Sequence, residues 1–297
     1  MTINILILLF IVIAPLIIGY SLIAYRKMTN KGRRNPLTRQ LLRSPGESLR
    51  TKIEDLSFDA TYYLMVLFIL PLFVYAVYLS QMHRDNTLVI LSIIFACVGL
   101  IFLIYKLLKV WKDRYRLRLG LDCEMAVGQE LNQLMREGCY VFHDFPAEGF
   151  NIDHVVVSPK GILAIETKGR AKPDKDGGSS EATVVFDGEA LKFPGWVEKK
   201  PIDQAIRQAE WLAKWLSSAV GERIAVQPVL ALPGWFIERK KPSPRLLLFN
   251  GKNPELLLKW MPDTGVSEVL MKRIHHQLDQ RCRDIEPVAY PKKAKYK

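Results

Sequence analysis

NIDHVVVSPKGILAIETKGR, residues Asn151 to Arg170, reads as a β-hairpin carrying charge where a buried sheet should hold none. Val155, Val156 and Val157 form one arm, and Ile162 to Ile165 form the other. Pro159-Lys160-Gly161 makes the turn: Pro fixes φ and Gly tolerates a left-handed backbone. Asp153 enters the first arm. Glu166 leaves the second, two residues before Lys168. Strand side chains alternate, so Glu166 and Lys168 point to one face. Taken alone, Glu-x-Lys also describes the solvated face of an edge strand. Asp153 and the surrounding hairpin make the pattern specific.

An Asp followed by Glu-x-Lys across a hairpin is the constellation of the PD-(D/E)xK nucleases. The run NIDHVVVSPKGILAIETK resembles the nuclease-related domain, NERD, whose pattern is close to N-hydrophobic-D-H followed by G-hydrophobic-E-x-K. The resemblance implies phosphodiester hydrolysis with Mg²⁺ or Mn²⁺. Such a cation takes oxygen ligands, and two or three carboxylates suffice. Asp153 and Glu166 would hold it, and Lys168 would serve the attacking water or the scissile phosphate.

The same resemblance extends outward in both directions. From Leu119 to Arg136 a helical period puts Leu121, Glu124, Val127, Gly128, Leu131, Leu134 and Met135 on one stripe. A carboxylate in an apolar stripe needs a partner. The family pattern opens with a helical Gly-Glu whose Glu belongs to the site, so Glu124 is the third expected metal ligand. Cys123 stands where the family has Gly. Downstream, KKPIDQAIRQAEWL resembles the family's Pro-x-x-Gln-Ala helix, which would bring Gln204 to the phosphate or a water. Spacing alone would make Gln204 a surface glutamine. On helix Pro201 to Ser217, Ile202, Ile206, Ala209, Leu212, Ala213 and Leu216 face the core, with Gln208, Trp211 and Trp215 on other faces. His154 falls on the opposite strand face to Asp153, which suits packing or support. His275 and His276 read as surface.

The rest of the C-terminal half contributes a first strand at Tyr140 to Phe145 and a hairpin at Val184 to Phe193. Strands follow at Ile224 to Leu232 and Arg245 to Phe249, then helices at Pro254 to Trp260 and Ser267 to Cys282. The expected fold class is α/β (α+β), a restriction-endonuclease-like mixed sheet flanked by helices. Arg170 to Thr183 is polar and reads as a loop. Lys172 and Lys175 there are candidate phosphate contacts, although a solvated loop has the same composition.

The N-terminal third has a different character. Ile3–Tyr25, Thr61–Met82 and Thr87–Tyr105 are uncharged apolar runs of bilayer-spanning length, so three transmembrane α-helices are expected before the sheet. No span contains an Asp, Glu, Lys, Arg or His, which argues against a transporter and for an anchor, one also able to support a homo-oligomer. The chain has 297 residues and formal net charge +12, with much of the excess at Arg26 to Lys52 and Lys106 to Arg118. Positive-inside then puts the N-terminus outside and the remainder in the cytoplasm, at a cell inner membrane. The basic segment 26–58 would lie on anionic headgroups or on DNA, and the lysine-rich tail Pro291 to Lys297 on lipid or nucleic acid. The four cysteines are scattered, without metal spacing, as expected of reduced thiols.

The expected organisation is an anchor over 1–110, a NERD-like core over 111–220 and a C-terminal completion over 221–297. The expected activity is cleavage of DNA, with RNA left open, at the cytoplasmic face. That location would suit defence against incoming phage or plasmid DNA. The alternatives are a non-cleaving nucleic-acid-binding or scaffolding protein of the same fold, and a membrane sensor.

Overall fold

A computed structural model of the chain describes residues 2–29, 36–81, 86–173, 182–241, 243 and 245–287. Lys175, the tail Pro291 to Lys297 and most of the loop expected at His83 to Asn86 lie outside the described residues. Contacts divide the chain into two units. One comprises 1–39, 54–114 and 286–297, and the other 40–53 and 115–285.

In the first unit, helices α1 (Thr2–Thr29), α2 (Glu47–Gln81) and α3 (Thr87–Leu131) carry the three apolar runs, α2 and α3 extending beyond it. Among the described residues, two helical stretches are long and apolar enough to cross a bilayer, Glu47–Ser80 and Thr87–Glu137. The apolar stretch of α1, Ile13–Arg26, falls short of that length, so among the described residues two helices and not the expected three reach it. The two longer windows are 0% and 11% buried, unlike the core helix of a globular domain. A small cluster of Ala60, Leu107 and Val110, with Leu56 and Tyr63 against it, joins α2 to α3.

The second unit is built on a five-stranded sheet of order β1-β2-β3-β7-β9. Strands β1 (Tyr140–Pro146), β2 (Asn151–Ser158) and β3 (Gly161–Thr167) pair antiparallel, and β7 (Val226–Ala231) and β9 (Leu247–Phe249) add in parallel. The hairpin register is Ser158↔Gly161, as the turn residues require. A side chain at Gly161 would meet Met261 Cε at 2.8 Å and Thr264 Oγ1 at 3.0 Å, so these side chains close over the turn. Pro228 costs no ladder bond on the β9 side, because β9 pairs only from Val229 onward.

Both faces of this sheet are covered, which explains why its central strands are continuous apolar runs. On one face α4 (Lys200–Val220) and α6 (Glu268–Cys282) bring Leu212, Leu216, Ile274 and Leu278 onto Val155, Val157, Ile162 and Ala164. On the other, the end of α3 and α5 (Glu255–Trp260) bring Val127, Leu131 and Leu257 onto Val156, Leu163, Ile165 and Val229. A smaller sheet of order β6-β5-β4-β8 packs Val184, Phe186 and Leu191 against Ile202, Ala205, Leu230 and Leu248. Its strands are β4 (Thr183–Phe186), β5 (Leu191–Phe193), β6 (Trp196–Glu198) and β8 (Phe236–Arg239). The expected mixed sheet with flanking helices is therefore present.

Several sequence readings change in detail. α3 gives way to a 3₁₀ turn over Asn132–Glu137, closed by left-handed Gly138 at φ 77°. Met135, placed on the packing stripe by its spacing, is exposed because that turn rotates it outward. Gln208 is buried, since its Nε2 donates to the Asn151 carbonyl at 3.1 Å. His275 is half-buried, its ring 4.3 Å from that of Tyr140, whereas His276 is exposed. Gln40–Ile53, read as part of the basic loop, packs within the second unit.

Candidate active site

The end of β3 delivers Glu166 and then Lys168. Glu166 is almost fully buried, and its Oε1 accepts from both the Lys168 ammonium and Gln204 Nε2, the latter at 2.8 Å. Gln204 reaches it because Pro201 opens α4 beside β3, and one turn of helix carries position 204 to the strand end. Asp153 lies one residue before the first β2–β3 pair, His154↔Ile165, and its Oδ2 accepts from the Thr167 N–H at 2.6 Å. That bond staples the two arms of the hairpin at their open end.

Glu124 approaches from the buried stripe of α3. Burial pushes its carboxyl up to about 8, helped by the charges of Asp144 and Glu166. Asp153 is raised well above the usual carboxylate range, by burial first and then by Glu166 and Glu124. Lys168 opposes both shifts. The three carboxylates and the lysine thus feel one another's charge, and Gln204 joins them through Glu166.

The donor set fits a hard divalent cation in kind. It is all oxygen, it is mutually repulsive, and buried Glu166 Oε2 has no hydrogen-bond partner. It is not preformed. Among the described residues no three His, Cys, Asp or Glu side chains already stand as metal ligands would. Lys168 and Gln204 hold one oxygen of Glu166, and Thr167 holds one of Asp153.

A second network borders the first, built from residues whose spacing carries little sign of it. Asp144 is buried at a left-handed position, φ 49°. Its Oδ2 accepts from Arg43 Nη1 at 2.8 Å, Ser48 Oγ at 2.7 Å and Ser48 N–H at 3.0 Å, and its Oδ1 from Asn151 Nδ2 at 3.1 Å. Arg43 also forks onto Asp284 at 2.8 and 2.7 Å. This clasp fixes the segment Arg43 to Ser48 over α3. A side chain at Gly46 would come within 3.5 Å of Glu124 Oε2, and one at Gly128 within 2.6 Å of the Pro45 ring. Both glycines therefore admit close contact between the segment and the helix that carries Glu124. A non-helical Asp flanked by aromatic residues was the available signal for Asp144.

His154 faces away from Asp153, as its position predicted, and is fully buried. Its Nδ1 lies 2.9 Å from His143 Nδ1, and His143 Nε2 lies 3.0 Å from Asn132 Oδ1. With His143 donating to Asn132, its Nδ1 must accept from His154, leaving His154 Nε2 a bare acceptor. Burial lowers both histidines, His143 to about 4, so the pair is neutral and supports packing. Lys172 lies 6.0 Å above the Trp235 ring, a cation–π arrangement.

Residues 119–233 match the family model described as nuclease-related domain, NERD. Over that stretch the chain is similar to a nuclease-related domain. Comparison with curated proteins and with solved structures gave no match. The NERD match begins where the Glu124 helix stripe begins, and it includes Asp153, Glu166, Lys168 and Gln204. Cys123, the departure from the family's Gly-Glu, is matched by Gly169: a Cβ there would lie 2.9 Å from Cys123 Sγ. The thiol's bulk is thus accommodated by a glycine just beyond the Glu-x-Lys strand.

Proposed function

We propose that the chain is a membrane-anchored, metal-dependent nuclease that hydrolyses phosphodiester bonds of DNA. The observation that carries this reading is the double acceptance at Glu166 Oε1, from Lys168 and from Gln204, within charge reach of Asp153 and Glu124. Glu124, Asp153 and Glu166 would hold Mg²⁺ or Mn²⁺, which supplies Lewis-acid polarisation of the phosphate. Lys168, paired with Glu166, sets positive charge where the phosphate gains negative charge. Gln204 keeps Glu166 and the phosphate in register. Water oxygen adds to phosphorus, one P–O ester bond breaks, and the products are a phosphomonoester and a hydroxyl end.

Anchoring is supported by the unburied apolar windows of α2 and α3. With basic residues following the first and third apolar runs, the proposed orientation is N-terminus outside and nuclease domain cytoplasmic. Defence against incoming phage or plasmid DNA is the matching role. It fails if deleting the gene leaves infection and plasmid uptake unchanged. One observation favours a second reading, a non-cleaving nucleic-acid binder: Lys168 already neutralises Glu166, and the carboxylates are not arranged as a shell.

The full chain in detergent micelles, incubated with plasmid in Mg²⁺, in Mn²⁺ and in EDTA, separates the two. Cleavage that EDTA abolishes supports the nuclease. Plasmid retention without cleavage in either metal supports the binder.

A further inference from the structure

Beside the acid cluster lies a cleft of about 620 Å³ with an unbalanced charge. Lys168 and Gln204 form its inner end, so it opens directly onto Glu166. Arg170, Glu198, Lys199 and Lys200 form the rest of its polar lining. Four cations therefore face one carboxylate, and that carboxylate is already committed. Glu198 accepts Arg170 Nε at 2.9 Å and Nη2 at 2.8 Å, and Trp196 Nε1 at 2.8 Å. The Arg170 guanidinium holds it below the usual carboxylate range, so it stays charged and paired.

The outer cations are not committed in this way. Lys199 lies 3.6 Å from Glu189 with both side chains well exposed, a pair that water and salt readily exchange. Lys200 is exposed, and no ion pair involves it among the described residues. The cleft thus has a fixed inner wall and, at its mouth, one ammonium in an exposed, exchangeable pair and one with no ion pair among the described residues.

We propose that this cleft binds the phosphodiester next to the scissile one, with Lys199 and Lys200 as its positioning residues and a nucleic-acid strand as its ligand. This rests on the acid cluster being the reaction centre. A strand offers phosphates in series, so one can sit at Lys168 and Gln204 while its neighbour meets Lys199 and Lys200. A lipid headgroup with a single phosphodiester, such as that of phosphatidylglycerol, cannot occupy both ends. Apart from Gln204, the polar lining is wholly charged, which suits backbone contact and gives no reading of base edges. Recognition at this cleft is therefore independent of sequence.

The test uses the full chain in zwitterionic nanodiscs, wild type against Lys199→Ala/Lys200→Ala. Fluorescein-labelled oligothymidylate and a mixed-sequence oligonucleotide are titrated in EDTA over a range of KCl. Loss of the contacts to this one phosphate should weaken both oligonucleotides about tenfold and lower the salt slope by about 0.7. In Mg²⁺, KM should rise with kcat unchanged. Unaltered affinity and slope overturn the proposal, as does loss of binding to anionic vesicles with oligonucleotide binding intact. The two arms fail separately. Binding that weakens in the variant, from a wild type that never cleaves, upholds the cleft and refutes hydrolysis. Cleavage with equal KM in both proteins upholds hydrolysis and refutes the cleft.

Discussion

Replacing Glu124 by Gln should stabilise the metal-free protein, and increasingly so as pH rises. The Glu124 carboxyl is held at about 8 against an ordinary 4.5, by burial and by the charges of Asp144 and Glu166. Between those values the folded chain keeps a proton that the unfolded chain releases. Stability present below the lower value is therefore lost as pH climbs through the upper one. At about 1.4 kcal/mol per unit, the full shift corresponds to some 4–5 kcal/mol. Because three carboxylates share the repulsion, about 3 kcal/mol is expected for Glu124 itself. For a domain of this size that is roughly 6–12 °C in Tm. Thermal melts of the full chain in detergent and EDTA, followed by tryptophan fluorescence from about pH 5 to about pH 9, provide the assay. Wild type should fall steadily over that range, Glu124→Gln should fall much less, and Mg²⁺ should restore wild type mainly at the alkaline end. Parallel curves for the two proteins would refute the crowding of carboxylates on which the site depends.

Three further outcomes follow from single contacts. Arg43→Ala leaves buried Asp144 without its cation, although Ser48 and Asn151 still donate to it; a loss of about 2–4 kcal/mol is expected in urea unfolding. Gly128→Ala drives a methyl into the Pro45 ring at 2.6 Å, and a ring cannot swing aside. The cost of about 1–3 kcal/mol from overpacking should outweigh the helix propensity gained, giving a lower Tm. Gln204→Ala removes the 2.8 Å bond to Glu166 Oε1 and should lower kcat by roughly ten- to a hundredfold with little change in KM, read by plasmid cleavage in Mg²⁺.

The hairpin was legible because its arms alternate or run apolar by simple rules and its turn is short and local. Glu124 was legible because a carboxylate interrupted an otherwise apolar stripe. Pairings between distant strands were not. β4 with β8, and β7 with β9, join segments whose own patterns say only that they are extended. Gln204 was legible only through family resemblance, since its spacing on α4 is that of a surface residue. The Arg43–Asp144 clasp escaped for a physical reason. An arginine in a basic, proline-containing segment looks solvated until the fold brings a buried carboxylate to it across 101 residues. Gln208 escaped likewise, because its hydrogen bond is to a backbone carbonyl, which no sequence pattern records.

The central claim is that Glu124, Asp153, Glu166 and Lys168 act as one unit on one phosphate. Cleavage rates of Glu166→Gln, Lys168→Met and the double variant, at saturating Mg²⁺ and matched protein concentration, test it most directly. Side chains that share a single reaction centre lose rate non-additively, so each single variant should fall by about a hundredfold or more and the double no further than the worse of the two. Losses that are small, or that multiply in the double variant, would contradict a shared centre.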